Sequence, residues 1–442
     1  ERNAERQSEH AALAQGQAGA RPDLAPGHFG GDFLERQVYV VRIVERAGDV
    51  IGAEDFAAQL VDFANRRRVR AAAQATLKAL AEDFETPIEE IAAGVQEAAW
   101  SGSADDRAPT ENVAGMVGKV IKRSARIRAG GGAIGATNAF ISDLDAAIGP
   151  LERGTYMVLA GRPGMGKSAL AGSAALGYAA NGHVGLYLNL EMSQEQQAMR
   201  ITADASQAMG KGVPHDAIRR DKLDAGQLNW LARVAERVAL LPLSFPDVGR
   251  CSIRRIESLI ARHAALCAAT GKELEFVVVD YLGKISAQDS RGNEIDDPRK
   301  SMQIVSKSIA DIAKRYNVAI IALAQLNRNV EGRTDKRPQL ADLKESGDLE
   351  QDADIVLMVY REEYYLQQSK PKAGEKDSKG RDLLEAWEVE YEIARGKVEL
   401  IVAKNRHDQA RTRTAKFFGK FYAIRGSEAS EFDNDPDSAM LF

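Results

Sequence analysis

The sequence predicts an α/β domain of the P-loop kind, a mostly parallel sheet with helices on both faces, preceded by an all-α N-terminal region and a linker helix. Three observations carry this reading. Short β-rich runs at 156–160, 185–190, 275–280, 318–324, 354–360 and 398–403 alternate with helical segments, as a sheet covered on both faces requires. Residues 33–100 lack that alternation and repeat apolar residues at three- and four-residue steps, as in Leu34, Val38, Val41 and Val44, and again in Phe56, Leu60 and Phe63. Between the first two runs stands GRPGMGKS, a glycine-rich turn joining a strand to a helix of small residues.

Taken in order, residues 1–100 read as a helical domain, with 1–27 rich in Ala, Gly and Gln and flexible apart from a short helix at 4–14. The segment 87–100 opens with Pro87 at a helix start. Residues 101–138 read as a linker. Within it, 111–128 place Val113, Met116, Val117, Val120 and Ile121 on one helical face, and Gly130, Gly131 and Gly132 end the segment. A lone amphipathic helix cannot bury its face, so it folds back or docks on a neighbour. Residues 139–428 hold the α/β domain, interrupted at 368–396 by a charged surface excursion with a helix from about Asp382 to Ala394. A terminal hairpin at 414–425 and an acidic tail at 429–442 complete the chain.

Composition narrows the function classes. At 442 residues, 44% apolar and 28% charged, the chain has room for two or three globular domains. The longest apolar runs, such as VAIIALA at 318–324, are too short to cross a bilayer, and residues 1–20 have no apolar stretch of the secretory kind. A cytoplasmic protein with no membrane partner is expected. Cys251 and Cys267 read as packing residues on one helical stretch, and the six histidines are scattered, so no structural metal is expected. A net charge of −5 argues against coating duplex DNA by bulk electrostatics but permits a grip on one strand inside a lined channel.

The chemistry begins with the turn. Gly161, Arg162, Pro163, Gly164, Met165, Gly166, Lys167, Ser168 and Ala169 fit G-x-x-x-x-G-K-[ST], whose backbone N–H groups cradle a polyphosphate at a helix start. Lys167 is placed to neutralise the β/γ-phosphates of ATP, and the Ser168 hydroxyl to bind Mg²⁺. FVVVD ends in Asp280, a second carboxylate for the metal at the tip of a buried strand. Glu191, just beyond the strand Leu186–Leu190, is the expected general base for the attacking water. Gln325 ends VAIIALAQ, where an amide can sense the γ-phosphate. The bland alternatives are a loop-start cap for Asp280, a helix start for Glu191 and a solvated cap for Gln325.

These motifs, with LNLEMS at 188–193, VVVDYL at 277–282, ALAQLNR at 322–328, DKRPQLADLKESGDLEQDAD at 335–354 and VAKNR at 402–406, resemble the hexameric replicative DNA helicases of the DnaB type, built on a RecA-like motor. The match covers about residues 139–425, in the family's order and spacing; the helical N-terminal region is similar more loosely. The resemblance implies a homohexamer of bacterial or phage origin that moves 5′ to 3′ on single-stranded DNA, with the N-terminal domain as a collar that meets primase and a helicase loader. It implies that Lys344, Glu345, Ser346 and Gly347 belong to the loop that contacts the DNA backbone; Asp348, Glu350, Asp352 and Asp354 cannot attract phosphate, and are expected to hold the loop's shape. It also implies that Lys404 and Arg406 reach the ATP site of the next subunit as a lysine and arginine finger. The sequence departs from the family at 407–411, where HDQAR replaces a Gly- and Pro-containing turn.

Other readings use the same core. A recombinase-like filament fits the helical domain and the 342–354 loop poorly, and an ATP-gated scaffold needs neither Glu191 nor Arg406. Arg299 and Lys300 are candidates for the channel lining or for a solvated loop. The run Arg66, Arg67, Arg68 and Arg70 is a solvated face or a partner contact.

Overall fold

A computed structural model describes residues 135–428 apart from 250, 289–293, 377–381 and 407, with backbone alone at 344–348 and isolated positions between 70 and 125. The chain divides into two compact units, residues 1–75 with 98–103 and residues 76–97 with 104–442. The expectations for residues 1–69 and 429–442 lie outside the described residues, and the N-terminal helical reading is tested at few positions.

In the second unit the described elements run α1 (Ser142–Ile148), β1 (Tyr156–Gly161), α2 (Lys167–Ala180), β2 (Gly185–Asn189), α3 (Gln194–Ala208), α4 (His215–Arg219), α5 (Ala225–Val238), β3 (Leu243–Ser244), α6 (Ile253–Ala269) and β4 (Phe276–Asp280). They continue with α7 (Pro298–Arg315), β5 (Ala319–Gln325), α8 (Gly347–Asp352), β6 (Ile355–Tyr360), α9 (Glu362–Gln368), α10 (Leu383–Ala394), β7 (Lys397–Asn405), β8 (Thr412–Phe418) and β9 (Ala423–Arg425). A 3-10 helix, Leu340–Ser346, leads into α8. Each expected strand is present to within about a residue or two. The two-residue β3 carries too short a pattern to be read from sequence.

The strands form one sheet in the order β3-β2-β4-β5-β1-β6-β7-β8-β9. The first six are parallel, and β7, β8 and β9 add antiparallel at one edge. Because strand side chains alternate, the sheet feeds two cores. Met157, Leu159, Tyr187 and Val278 face α1 and α2, while Val158, Leu188, Val279 and Ile320 face the side of α6 and α7. Every residue of β1 is buried, which explains its unbroken apolar run.

Local chemistry sets the helix ends. Ser193 opens α3 and Asp224 opens α5 with reciprocal capping boxes to Gln196 and Gln227. Asp297 caps α7 ahead of Pro298, and Asp382 caps α10 in the charged excursion. One expectation is corrected here. Cys267 lies on α6, but Cys251 precedes the Ser252 cap, because that serine's side chain takes the Arg255 N–H and starts the helix after it. Both thiols are buried and free of any disulfide. The linker is helical at positions 113, 117, 118, 120, 121, 124 and 125, where Val113, Val117, Val120 and Ile121 are exposed.

Candidate nucleotide-binding cleft

The carboxyl ends of β1, β2, β4 and β5 open into one cleft of about 1430 Å³. Parallel register explains the convergence: Gly161 pairs with Gln325, and Asn189 pairs with Asp280. Lys167, Ser168, Glu191, Asp280 and Gln325 all line it. Five residues drawn from four separate stretches of sequence therefore face one space.

The turn after β1 needs its glycines for two reasons. Gly164 and Gly166 have φ of +81° and +93°, and a Cβ would meet the Tyr364 ring at 2.7 Å and the Phe417 ring at 3.2 Å respectively. Gly166 caps α2, so the helix's first N–H groups point into the cleft. The Lys167 ammonium donates to the carbonyls of Gly161 at 2.7 Å and Arg162 at 3.1 Å. Burial pulls its pKa down to about 8, against the attraction of Asp280 and Glu191. A partly desolvated ammonium resting on two carbonyls is set to exchange them for phosphate oxygens.

Not every expected cradle residue faces the cleft. Pro163, Gly164, Gly166, Lys167, Ser168 and Ala169 line it; Gly161, Arg162 and Met165 do not. The Arg162 side chain has a different job from the backbone role expected of the loop. It is buried, donates to Glu331 at 2.7 and 2.9 Å, and donates to the Leu326 carbonyl at 2.8 Å. Two acceptors behind the turn satisfy the guanidinium, so Arg162 braces the loop from outside.

Asp280 is 2% exposed. Its Oδ2 accepts a 3.0 Å hydrogen bond from the Tyr187 hydroxyl, and the Ser168 hydroxyl also reaches the carboxyl. Burial raises its pKa above the ordinary carboxylate value, and the two hydroxyls pull it back. The donor set of one carboxylate and one hydroxyl, both hard oxygen, suits Mg²⁺, which keeps several waters and leans on substrate phosphates. Among the described residues there is no cluster of three or more His, Cys, Asp or Glu side chains able to hold a metal.

Glu191 is exposed at the cleft's edge, and its position is set by Asn189. The Asn189 Oδ1 accepts the N–H groups of Glu191 at 3.2 Å and Met192 at 3.1 Å, and its Nδ2 donates to the Met192 carbonyl at 2.8 Å. Such an Asx turn fixes the bend between β2 and α3. Gln325 is exposed, and the chain just past it is tethered. The Leu326 N–H donates to the Gly161 carbonyl at 3.3 Å, and the Asn327 N–H donates to the Asp342 carbonyl at 3.1 Å. That second bond joins the strand end to the 3-10 helix containing Lys344 and Glu345. Gly347 starts α8, and the side chains of 344–348 lie outside the described residues.

Lys404 and Arg406 sit elsewhere. β7 runs antiparallel to β6, with Asn405 opposite Ile355, and Ile355 is level with Met157 on β1. The pair is therefore at the far end of the sheet, four residues or about 13 Å along the strands from Gly161. Lys404 Nζ donates to the carbonyls of Glu350 at 2.6 Å and Ala353 at 2.7 Å. Arg406 donates to Asp354 at 2.9 Å and to the Gln351 carbonyl at 2.6 Å, with its side chain 45% exposed. Asp354 also takes the Tyr156 N–H, and Asp352 takes the Ser306 hydroxyl, so both acids do hold this segment's shape.

Sequence reasoning missed the opposite wall of the cleft. Arg361 lies over the Phe417 ring at 3.8 Å and donates to the Gly164 carbonyl at 3.2 Å. Tyr422 contacts His215, ring to ring at 4.6 Å, and Arg200, whose guanidinium is 4.7 Å from its ring centre. Flat aromatic and guanidinium faces beside a phosphate cradle suit a nucleobase. The aromatic hairpin KFFGKFY is visible in the sequence, but only the sheet order carries it to the P-loop.

Comparison with known proteins agrees with this geometry. Residues 136–425 match the family model described as DnaB-like helicase C terminal domain. The replicative DNA helicase DnaB of Rickettsia bellii is 35% identical over 281 residues, 60% of this chain and 52% of that one. The protein of the same name from Helicobacter pylori is 29% identical over 289 residues, 63% of this chain and 57% of that one. The chain spans about half the length of the curated relatives it matches. A solved structure described as an ATPase domain matches with a TM-score of 0.58 and 26% identity, covering 71% of this chain and 99% of that one. Another, "The Structure Of A DnaB-Like Replicative Helicase And Its Interactions With Primase", shares the fold with a TM-score of 0.61 at 24% identity, covering 88% and 83%.

Proposed function

Because the chain belongs to the DnaB-like helicase family, we propose that it is an ATP-dependent replicative DNA helicase, a ring-shaped motor that moves 5′ to 3′ on single-stranded DNA and separates the duplex at a replication fork. One observation supports this above the rest. Lys167, Ser168, Glu191, Asp280 and Gln325 line one cleft at one end of the sheet, and Lys404 and Arg406 lie at the other end, too far to serve that cleft. Such a pair acts on a neighbour's nucleotide, which makes hydrolysis depend on assembly.

In this reading Lys167 leaves its two carbonyls for the β/γ-phosphates, and the α2 N-terminus holds the phosphate chain. Ser168 and Asp280 would hold Mg²⁺, which when bound would neutralise phosphate charge. Glu191 accepts a proton from the attacking water, with the Asn189 turn keeping it aligned. Arg361 and Phe417 flank the base. Lys404 and Arg406 enter from the adjacent subunit and stabilise charge on the transferring phosphoryl group. Gln325 reports the γ-phosphate through the Asn327–Asp342 bond to the segment bearing Lys344, Glu345 and Gly347, which holds the DNA backbone.

A homohexamer fits the in-trans assignment, and the exposed face of Val113, Val117, Val120 and Ile121 fits a linker helix that docks on the next subunit. Primase and a loader are the partners proposed for the N-terminal region, with a cytoplasmic location. The test is ATP hydrolysis with and without single-stranded DNA, alongside unwinding of a forked duplex bearing a 5′ tail. DNA-stimulated hydrolysis with unwinding is expected; an absence of hydrolysis by assembled protein overturns the motor reading.

A further inference from the structure

Tyr187 is a buried tyrosine in the middle of β2, the strand next to the short edge strand β3, a position where a phenylalanine would pack equally well. It is 1% exposed, and its ring stacks on Phe245 at 5.3 Å. A buried hydroxyl is costly without a partner, and this one donates to Asp280 Oδ2 at 3.0 Å. Register explains the contact. Tyr187 pairs with Val278 and Asn189 with Asp280, so Tyr187 and Asp280 share one face as diagonal neighbours. That diagonal, about 7–8 Å between backbones, is spanned by a tyrosine and by few other side chains. Gln197 of α3, itself buried, lies beside the same hydroxyl.

Asp280 thus has its Oδ2 held by Tyr187, while Ser168 at the start of the P-loop helix lines the same cleft. A carboxylate pinned at one oxygen has its rotation restricted, which fixes how it presents its other lone pairs to the cleft that Asp280 lines. We propose that Tyr187 is a positioning residue for the metal site, locking Asp280 in the orientation that binds Mg²⁺ with the nucleotide. This rests on the reading of Asp280 as the metal-site carboxylate. Tyr187 touches neither nucleotide nor metal and acts only through Asp280.

The test uses the full chain with a non-hydrolysable ATP analogue and Mn²⁺ in place of Mg²⁺, reading free Mn²⁺ by electron paramagnetic resonance. Tyr187→Phe should weaken Mn²⁺ binding in the ternary complex by about tenfold, the lower range for losing an outer partner of a metal ligand. Analogue affinity in EDTA and the thermal midpoint should stay at the wild-type values. In an Asp280→Asn background, Tyr187→Phe should cost nothing more. Wild-type Mn²⁺ affinity in Tyr187→Phe, or additive losses in the double variant, overturns the inference. If Asp280→Asn alone binds Mn²⁺ as the wild type does, the reading of Asp280 itself fails, which separates the two outcomes.

Discussion

Two aspartates, Asp204 and Asp280, are each 2% exposed, and they are satisfied in opposite ways. Asp204, on α3, forms an ion pair with Arg425 of β9 and accepts the Ser173 hydroxyl of α2 at 2.6 Å. Arg425 also donates to the Asp204 carbonyl at 2.8 Å and lies 4.7 Å from the Phe140 ring centre. The charge is cancelled within the chain, and the result ties the last strand to the P-loop helix. Among the described residues the Asp280 carboxylate accepts from the Tyr187 hydroxyl and from no cation, and Lys167, the cation that attracts it, is bonded to loop carbonyls. A buried carboxylate left without a counter-ion is unfavourable unless a cation arrives from outside. Equal burial therefore has two meanings. Where the chain supplies the partner, the acid is structural; where it withholds one, the acid is left for a cation from outside, as the proposed metal role of Asp280 requires.

The largest effect that would sharpen this contrast is at Arg425. Arg425→Met strands the Asp204 charge and should lower unfolding stability by about 3–5 kcal/mol, as for other broken buried pairs. Adding Asp204→Leu should recover most of that loss, since an apolar pair of similar volume avoids desolvation. Denaturant midpoints of the three proteins decide it, and a loss below about 1 kcal/mol would place the pair among ordinary surface bridges.

Asp280→Asn should behave in the opposite sense. Burial raises the Asp280 pKa, so the stability its protonated form contributes is present below the unfolded value near 3.8 and is lost as pH rises through the folded one. Asparagine escapes that loss. Without divalent metal at pH 7, the variant should be as stable as the wild type or slightly more so, with the gap closing toward acid. A drop comparable to Arg425→Met would erase the distinction between the two aspartates.

The smallest effect concerns Lys167. With its pKa near 8 in the free protein, the ammonium is partly deprotonated at pH 8.5, and bound phosphates would raise that pKa. ATP binding at pH 8.5 should take up a fraction of a proton, and at pH 6.5 the Lys167 contribution should vanish. Calorimetry in two buffers of different ionisation enthalpy measures it; no buffer dependence at pH 8.5 would show that the cation is already fully charged.

Much of the site is legible in the sequence. The P-loop announces itself because its turn needs glycines at fixed places, and the strand-end acids follow because a buried apolar run must stop at a polar residue. Glu191, Asp280 and Gln325 can be found that way. The Arg162 side chain cannot, because the motif fixes its backbone and leaves its side chain to whatever acceptor lies behind, here Glu331, 169 residues later in sequence. Cys251 reads as helical because a hydroxyl cap at Ser252 leaves a weaker signature than the apolar period that follows it.

The sequence by itself determined the alternation of strands and helices, the phosphate-binding turn and the chemical identity of the residues at each strand end. These are local matters of backbone geometry and apolar period, written within a few neighbouring residues. Only the tertiary structure decided which strand ends meet, that Lys404 and Arg406 lie at the opposite end of the strands, that an aromatic hairpin backs the P-loop, and that the Tyr187 hydroxyl meets the Asp280 carboxylate. Strand order and register are set by packing between segments far apart in the chain, and no local pattern encodes which hydroxyl will meet which carboxylate.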